Sequence, residues 1–431
     1  MPDMENFSEF CGMQDECALA GAAAFFAGIP DAAVVINGPL WCYYYAMRHI
    51  EMNEPLISKR MLCTQLDNEA IVFGSEEYLR DTLAPYAEKP PSVLCIANNC
   101  SASLIGDDVL GIARELGISC PITAPESGGL IGGFAEGWQK ASLSLLDEVN
   151  FEAKEKIQSA VNLMGVTGGY YNGLEDADEL KRLLTLAGYQ VQACPGAGMA
   201  FADFSKLSRA SLNIVVHREL GMPLARKLHE MFGTPYIAPL PPYGISGTRQ
   251  WMDAVNDALE APAKSDFESV CAKTEQRIFL RIGELKGIWD ELWYDEAIVS
   301  GTETSAAAFA QALRGEWADI GRLTLIHPAG KKPENYSAAD DILDAGKDID
   351  EIKKRFSDMK QGIVAASSNE TTQLTNFTDG KIEVFPIAYP VFDSMKLSDA
   401  PFMGLRGAAY VQEVLWNAKI HEIARNVASE K

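Results

Sequence analysis

Short apolar runs alternate with amphipathic stretches along almost the whole chain, and that alternation sets the expected elements. In the first third, strands are expected at 32–36, 61–66, 92–97 and 120–124, with helices over 17–27, 42–52, 75–86, 107–116 and 132–148. A charged connector, 151–159, follows. The middle third predicts a strand from Asn162, a helix over 175–187, strands at 189–193, 212–217 and 235–240, and helices over 219–232 and 247–260. A long amphipathic helix over 266–287 links to the last third. There, strands are expected from Glu296 and at 322–327, 362–366 and 383–387, with helices over 303–314, across 337–359 and over 405–427. Strands alternating with helices imply parallel sheets covered on both faces. The expected fold is therefore α/β, with three Rossmann-like units: 1–158, 159–290 including the linking helix, and 291–431 including the C-terminal helix.

Composition narrows the function classes. The 431 residues are 47% hydrophobic, ordinary for a globular chain, and 60 acids outweigh 37 Lys and Arg for a net charge of −23. That sign argues against nucleic acid and anionic membrane as partners. The first ten residues carry acids where a secretory signal needs a basic start, and the most apolar run, 17–36, is broken by Pro30 and Asp31. Nine cysteines without a signal point to a reducing, cytoplasmic setting and to metal or redox chemistry rather than a disulfide framework.

Three cysteines stand where the backbone turns. Cys17 opens an Ala-rich helix, Cys42 closes Asn-Gly-Pro-Leu-Trp-Cys after the strand 32–36, and Cys100 follows the strand 92–97 in Asn-Asn-Cys-Ser-Ala-Ser-Leu-Ile-Gly-Asp-Asp. Strand ends gather along one edge of an open parallel sheet, where ligands bind. Amides at a helix start lower a thiol's pKa and can donate to sulfur. Cys95, Cys120, Cys194 and Cys271 read as packing cysteines. Cys63, toward a strand end, reads either way, and Cys11 reads as spare.

At these residues the chain resembles the component 1 family of nitrogenase and nitrogenase-like reductases. Cys17 in Cys-Ala-Leu-Ala-Gly is similar to the family's first cluster cysteine. Asn37-Gly-Pro-Leu-Trp-Cys42 resembles the His-Gly-Pro-x-Gly-Cys motif, departing at Asn37 and Trp41. Leu66-Asp-Asn-Glu-Ala-Ile-Val-Phe-Gly74 resembles the segment ending Val-Phe-Gly-Gly, and Cys100-Ser-Ala-Ser-Leu-Ile-Gly-Asp-Asp108 the third cysteine motif. Gly165–Asn172 and Leu212–His217 extend the likeness into the second unit. His217 stands where the catalytic nitrogenase chain has a cofactor-binding cysteine, and that chain's histidine ligand finds no counterpart in Tyr389-Pro-Val-Phe-Asp-Ser-Met, so dinitrogen reduction is not expected.

The resemblance implies an iron–sulfur cluster, 4Fe–4S or larger, held near a subunit interface by Cys17, Cys42 and Cys100 in a homodimer or a heterodimer with a paralogue. It also implies a separate iron protein that hydrolyses ATP and donates electrons, since this chain has no P-loop motif. A small-molecule substrate, unidentified by the sequence, would lie between units. His217 and Arg218 leave a strand end and are the candidate catalytic pair, His217 on the strength of an unperturbed pKa near neutrality or as a ligand. Tyr170, Tyr171, Asn172, Thr302, Glu303, Ser305, Ser368 and Asn369 are further candidates. Gly128–Gly133 is expected to serve helix packing or a flexible joint, and Asp107 and Asp108 to be helix-entry charges. The alternatives are a scaffold on which a metal cofactor is assembled, and a cluster-free ligand-binding relative.

Overall fold

The computed structural model describes residues 16–151, 155–261, 265–331, 338–377 and 381–429. Cys11 and the acidic first ten residues lie outside the described residues.

Three parallel sheets form the frame. The first contains β1 (Ala32–Asn37), β2 (Met61–Cys63), β3 (Val93–Asn98) and β4 (Ile122–Thr123) in the order β2-β1-β3-β4. Every residue of β1 is buried, as a strand covered on both faces requires. The second sheet contains β5 (Ile157–Met164), β6 (Gln190–Ala193), β7 (Ala210–Val215) and β8 (Tyr236–Ile237) in the order β6-β5-β7-β8. Between β5 and β7 the buried Asn162 Nδ2 donates to Asn213 Oδ1 at 2.9 Å and to Leu207 O at 3.0 Å, so that nitrogen is not left unpaired by burial. The third sheet contains β9 (Trp293–Ser300), β10 (Asp319–His327), β11 (Asp341–Asp344), β12 (Gln361–Ala366) and β13 (Lys381–Pro386) in the order β11-β10-β9-β12-β13.

Chain contacts gather these sheets into two compact units. One comprises residues 16–174 and 190–238 and holds the first and second sheets; the other comprises 175–189 and 239 onward and holds the third. In the latter, the buried Asp176 accepts the N–H groups of Phe402 and Met403 at 2.7 and 2.8 Å, and burial lifts its carboxyl to about 7.

In the unit of residues 16–174 and 190–238, the decisive contact is between helices Ala18–Ala27 and Phe134–Leu146. All ten residues of the first helix are buried. A Cβ at Gly21 would stand 1.8 Å from Phe134 O, and one at Gly137 1.7 Å from Ala18 O, so only glycine lets these backbones touch. The edge-to-face pair Phe25–Trp138, centroids 4.9 Å apart, seals the contact.

Several boundaries differ from expectation. Residues 337–359 were expected to be helical; instead β11 occupies Asp341–Asp344, and the helix is confined to Ile349–Asp358. The Asp344 carboxylate accepts the N–H of Gly346 and of Gly330, making a turn where a helix would run. The first residues of β5 fall inside the expected connector, because Lys156 and Gln158 hid the strand beginning at Ile157. Short helices at Asn68–Phe73, Cys100–Ile105 and Ser368–Phe377 were not anticipated as such.

Replacing Gly137 by Ala is expected to destabilise the chain by about 1–3 kcal/mol through overpacking and to displace the Cys17 end of the neighbouring helix. Urea-unfolding midpoints of wild type and variant measure this; an unchanged midpoint would show that the helices can separate freely.

Candidate functional site at a cysteine-bearing strand edge

The carboxyl ends of β1 and β3 are in register, Asn37 opposite Asn98. From β1 the chain passes through Gly38 and Pro39 into the helix Leu40–Ile50, placing Cys42 in its first turn. From β3 it passes through Asn99, whose side chain caps Ala102 N at 2.9 Å, into a helix whose first residue is Cys100. Cys17 is the N-cap of Ala18–Ala27 and bridges to Gly133 at the entry of Phe134–Leu146, where Ala18 N donates to Gly132 O at 3.1 Å. The close helix contact thus delivers the third cysteine to the same edge.

Glycines and amides surround the sulfurs. Gly129 N donates to Cys100 Sγ at 3.1 Å. A Cβ at Gly129 would lie 3.2 Å from Cys17 Cβ and 3.3 Å from Cys100 Sγ, so Cys17 and Cys100 face one another across a glycine. Asn99 Nδ2 points at Cys42 Sγ from 3.8 Å. Burial pushes the Cys17 thiol up against the lowering pull of the Ala20 and Leu19 amides, and the Cys100 sulfur adds to the rise. Burial likewise raises Cys42, Asn99 opposes it, and the Cys17 and Cys100 charges raise it further. The three thiols therefore share one electrostatic neighbourhood. Ser103, on the helix that Cys100 opens, has a buried hydroxyl that finds no hydrogen-bond partner among the described residues. Gly128 packs beside it, where a Cβ would come within 2.9 Å of Ser103 Oγ.

Departures from the resembled motifs have local explanations. The buried Asn37 donates to Asn98 Oδ1 at 3.0 Å and accepts from Thr64 Oγ1 at 3.1 Å, a ladder across three strand ends. Trp41 is 64% exposed and meets Tyr45 edge-to-face at 4.9 Å. Leu40, Tyr44, Phe73, Leu104 and Leu130 are exposed as well, so large apolar side chains crowd the segments that carry the cysteines. Asp108 caps Gly111 N, while Asp107 instead accepts from the Ser75 amide and hydroxyl, each at 2.6 Å. The Gly128–Gly133 run is a packing element over the cysteines rather than a free anion loop, since Glu136 already accepts Gly133 N at 3.0 Å.

Cys95, Cys194 and Cys271 are buried and Cys120 is half-buried in the core of the first sheet. Among the described residues, no group of three His, Cys, Asp or Glu side chains converges tightly enough for a single metal ion. Iron–sulfur clusters differ from single ions in spreading their thiolates over several irons. Three cysteines, amide donors, a partnerless hydroxyl and a glycine floor fit that demand.

His217 lies elsewhere in the same unit. It is the N-cap of the helix Arg218–Phe232, 3% exposed, with its ring edge-on to Tyr170 at 5.0 Å. Glu219 Oε1 stands 3.9 Å from its Nδ1 and accepts from Tyr170 Oη at 3.4 Å. Burial lowers the imidazole pKa from 6.5 to about 3, so the ring is neutral at physiological pH. The expectation of a near-neutral pKa is thereby revised: His217 can offer a single N–H or a lone pair, not an imidazolium. Arg218 Nε donates to Ala238 O at 2.9 Å, tying the helix start to the segment after β8. In the other unit, Thr302 and Ser368 are buried just past the ends of β9 and β12, and Ser305 is buried in the first turn of the helix Glu303–Ala312.

A chain of parallel α/β sheets with cysteines at one strand edge matches a known architecture. Solved structures titled "Nitrogenase Cp1 at pH 6.5" and "Nitrogenase Cp1 at pH 5" superpose with TM-scores of 0.76 and 0.74 at 14% and 18% identity. They cover 96% and 95% of this chain, and 94% and 89% of their own. The sequence profile described as Nitrogenase component 1 type Oxidoreductase matches residues 17–419, and the chain belongs to that family. A light-independent protochlorophyllide reductase chain of Nostoc punctiforme is 22% identical over 92% of this chain and 81% of its own length. The nitrogenase iron-molybdenum cofactor biosynthesis protein NifE of Clostridium pasteurianum is 25% identical over 57% of this chain and 54% of its own.

The buried imidazole makes a pH prediction. The unfolded ring titrates near 6.5 and the folded one near 3, so between those values only the unfolded chain gains the proton. Its contribution to stability is complete above pH 6.5 and is lost as pH falls toward 3, by up to ~1.4 kcal/mol per pH unit. His217→Gln should flatten this slope in urea titrations at pH 6.5, 5.5 and 4.5. An unaltered slope would show that the folded ring is protonated.

Proposed function

We propose that this chain is the cluster-bearing subunit of a nitrogenase-like, two-component reductase acting in the reducing cytoplasm. Cys17, Cys42 and Cys100 hold an iron–sulfur cluster near a subunit interface. The observation that carries this is the convergence of three sequence-distant thiols on one strand edge, under amide donors and beside an exposed apolar surface. A bound cluster would supply one-electron transfer at a potential set by burial and amide donors.

This chain's residues would do the rest. Gly129 and Asn99 present N–H groups to sulfur and hold the thiolates in place. The exposed Trp41, Tyr44 and Phe73 favour pairing with a second copy or a paralogue, which would exclude water from the thiolates. A separate iron protein would hydrolyse ATP and deliver electrons. The similarity to the protochlorophyllide reductase chain makes tetrapyrroles the first substrate class to screen. His217, held neutral, would present one N–H or lone pair to a bound molecule, with Arg218 beside it.

The similarity to NifE favours a second function, a scaffold that assembles a metal cofactor and passes it on. Turnover of a small molecule in the presence of an iron protein belongs to the first; transfer of a metal cofactor to a recipient without turnover belongs to the second.

Anaerobic purification should yield a brown protein with iron, sulfide and an EPR signal after dithionite reduction. Cys17→Ala, Cys42→Ala and Cys100→Ala should each lose most of the iron, and Cys95→Ala should keep it. A wild type that stays free of iron after reconstitution would sink the redox function.

A further inference from the structure

We infer that Cys63 supplies a fourth thiolate from this chain to the iron–sulfur cluster; the inference rests on the proposed cluster at Cys17, Cys42 and Cys100. Three cysteines leave one iron of a 4Fe–4S cluster without a ligand from this chain, since the usual complement is four. The register of the first sheet points to where the fourth comes from. β2 flanks β1 on the side opposite β3, with Cys63 paired to Ile36 at the carboxyl end of both strands. The strand ends along this edge therefore run Cys63, then the turn leading to Cys42, then Cys100.

Atomic contacts tighten that placement. Cys63 Sγ lies 3.3 Å from Gly38 O, and Gly38 packs on the Asn99 side chain whose Nδ2 faces Cys42. Gln65 N donates to Cys63 Sγ at 3.4 Å, as Gly129 N does to Cys100 Sγ at 3.1 Å. Gln65 holds φ at 57°, a left-handed conformation uncommon outside glycine, and in it the amide reaches the sulfur. Unlike Cys95, which is fully buried, Cys63 is half-buried at the edge, as Cys42 and Cys100 are. The Cys42 charge acts on Cys63, so both belong to one neighbourhood. On binding, the Cys63 thiol would release its proton to solvent and form one S–Fe bond at the iron the other three leave open. No electron is gained or lost.

The test uses the full chain reconstituted anaerobically with ferrous iron and sulfide, as wild type, Cys63→Ala, Cys63→Ser and Cys95→Ala. Iodoacetamide labelling of Cys63, read by peptide mass spectrometry, should be at least about tenfold slower in loaded wild type than after a chelator strips the iron. Cys63→Ala should surrender iron to the chelator about tenfold faster and show altered EPR g-values, with Cys63→Ser in between and Cys95→Ala unchanged. Equal labelling of loaded and stripped wild type, or an EPR spectrum and iron-loss rate unaltered in Cys63→Ala, would overturn the inference while leaving the three-cysteine cluster standing. A wild type that binds no iron would remove both. Labelling of the wild type decides the matter even if the variants fold poorly.

Discussion

Backbone contact between two helices fixes the geometry on which this protein depends. Where Gly21 meets Phe134 and Gly137 meets Ala18, there is no room for a side chain. One helix begins at Cys17 and the other is entered through Gly132 and Gly133, so that contact also sets the distance between a thiol and the loop covering Cys100. A thiol placed by touching backbones is held more rigidly than one placed by a rotamer, because nothing can yield but the helix itself. The cost is sensitivity: a single methyl group at either glycine strikes main-chain atoms on the partner helix.

Much of this was legible in the sequence, and the exceptions share a cause. Apolar runs such as 32–36 and 92–97 are buried on both faces, so their strands stand out against any background. β11 did not stand out, because Asp-Ile-Leu-Asp is short, lies at a sheet edge, and owes its form to an aspartate turn. The start of β5 was masked by Lys156 and Gln158. At the site, Cys17, Cys42 and Cys100 could be singled out from turn context, but the floor beneath them could not. Gly128 and Gly129 read as helix packing or a flexible joint in the sequence, and the contact of Gly129 with sulfur exists only once the first sheet has folded. Cys63 stayed ambiguous for the same reason: strand register, not local sequence, brings it to the edge.

Asn37 shows how a departure from a motif can preserve a turn. A histidine is typical at that position in the resembled motif. The amide here instead joins Asn98 and Thr64 across the ends of β3 and β2, and Gly38 N donates to Thr64 Oγ1 at 2.9 Å. A neutral, doubly bonded side chain leaves no titrating group in that position.

The cysteine edge and His217 are joined by continuous packing. Phe134, the first residue of the helix that meets Cys17, lies 5.5 Å from the Tyr170 ring; Tyr170 lies 5.0 Å from the His217 ring and shares Glu219 with it. Each member is held on more than one side, since Gly169 admits no Cβ beside Phe134 and Gln139 Nε2 donates to Glu219 O at 2.6 Å. A displacement of Phe134 would therefore press on Tyr170 before it reached His217. Because burial keeps that imidazole neutral, such a shift would alter where its N–H points and not how often it is charged.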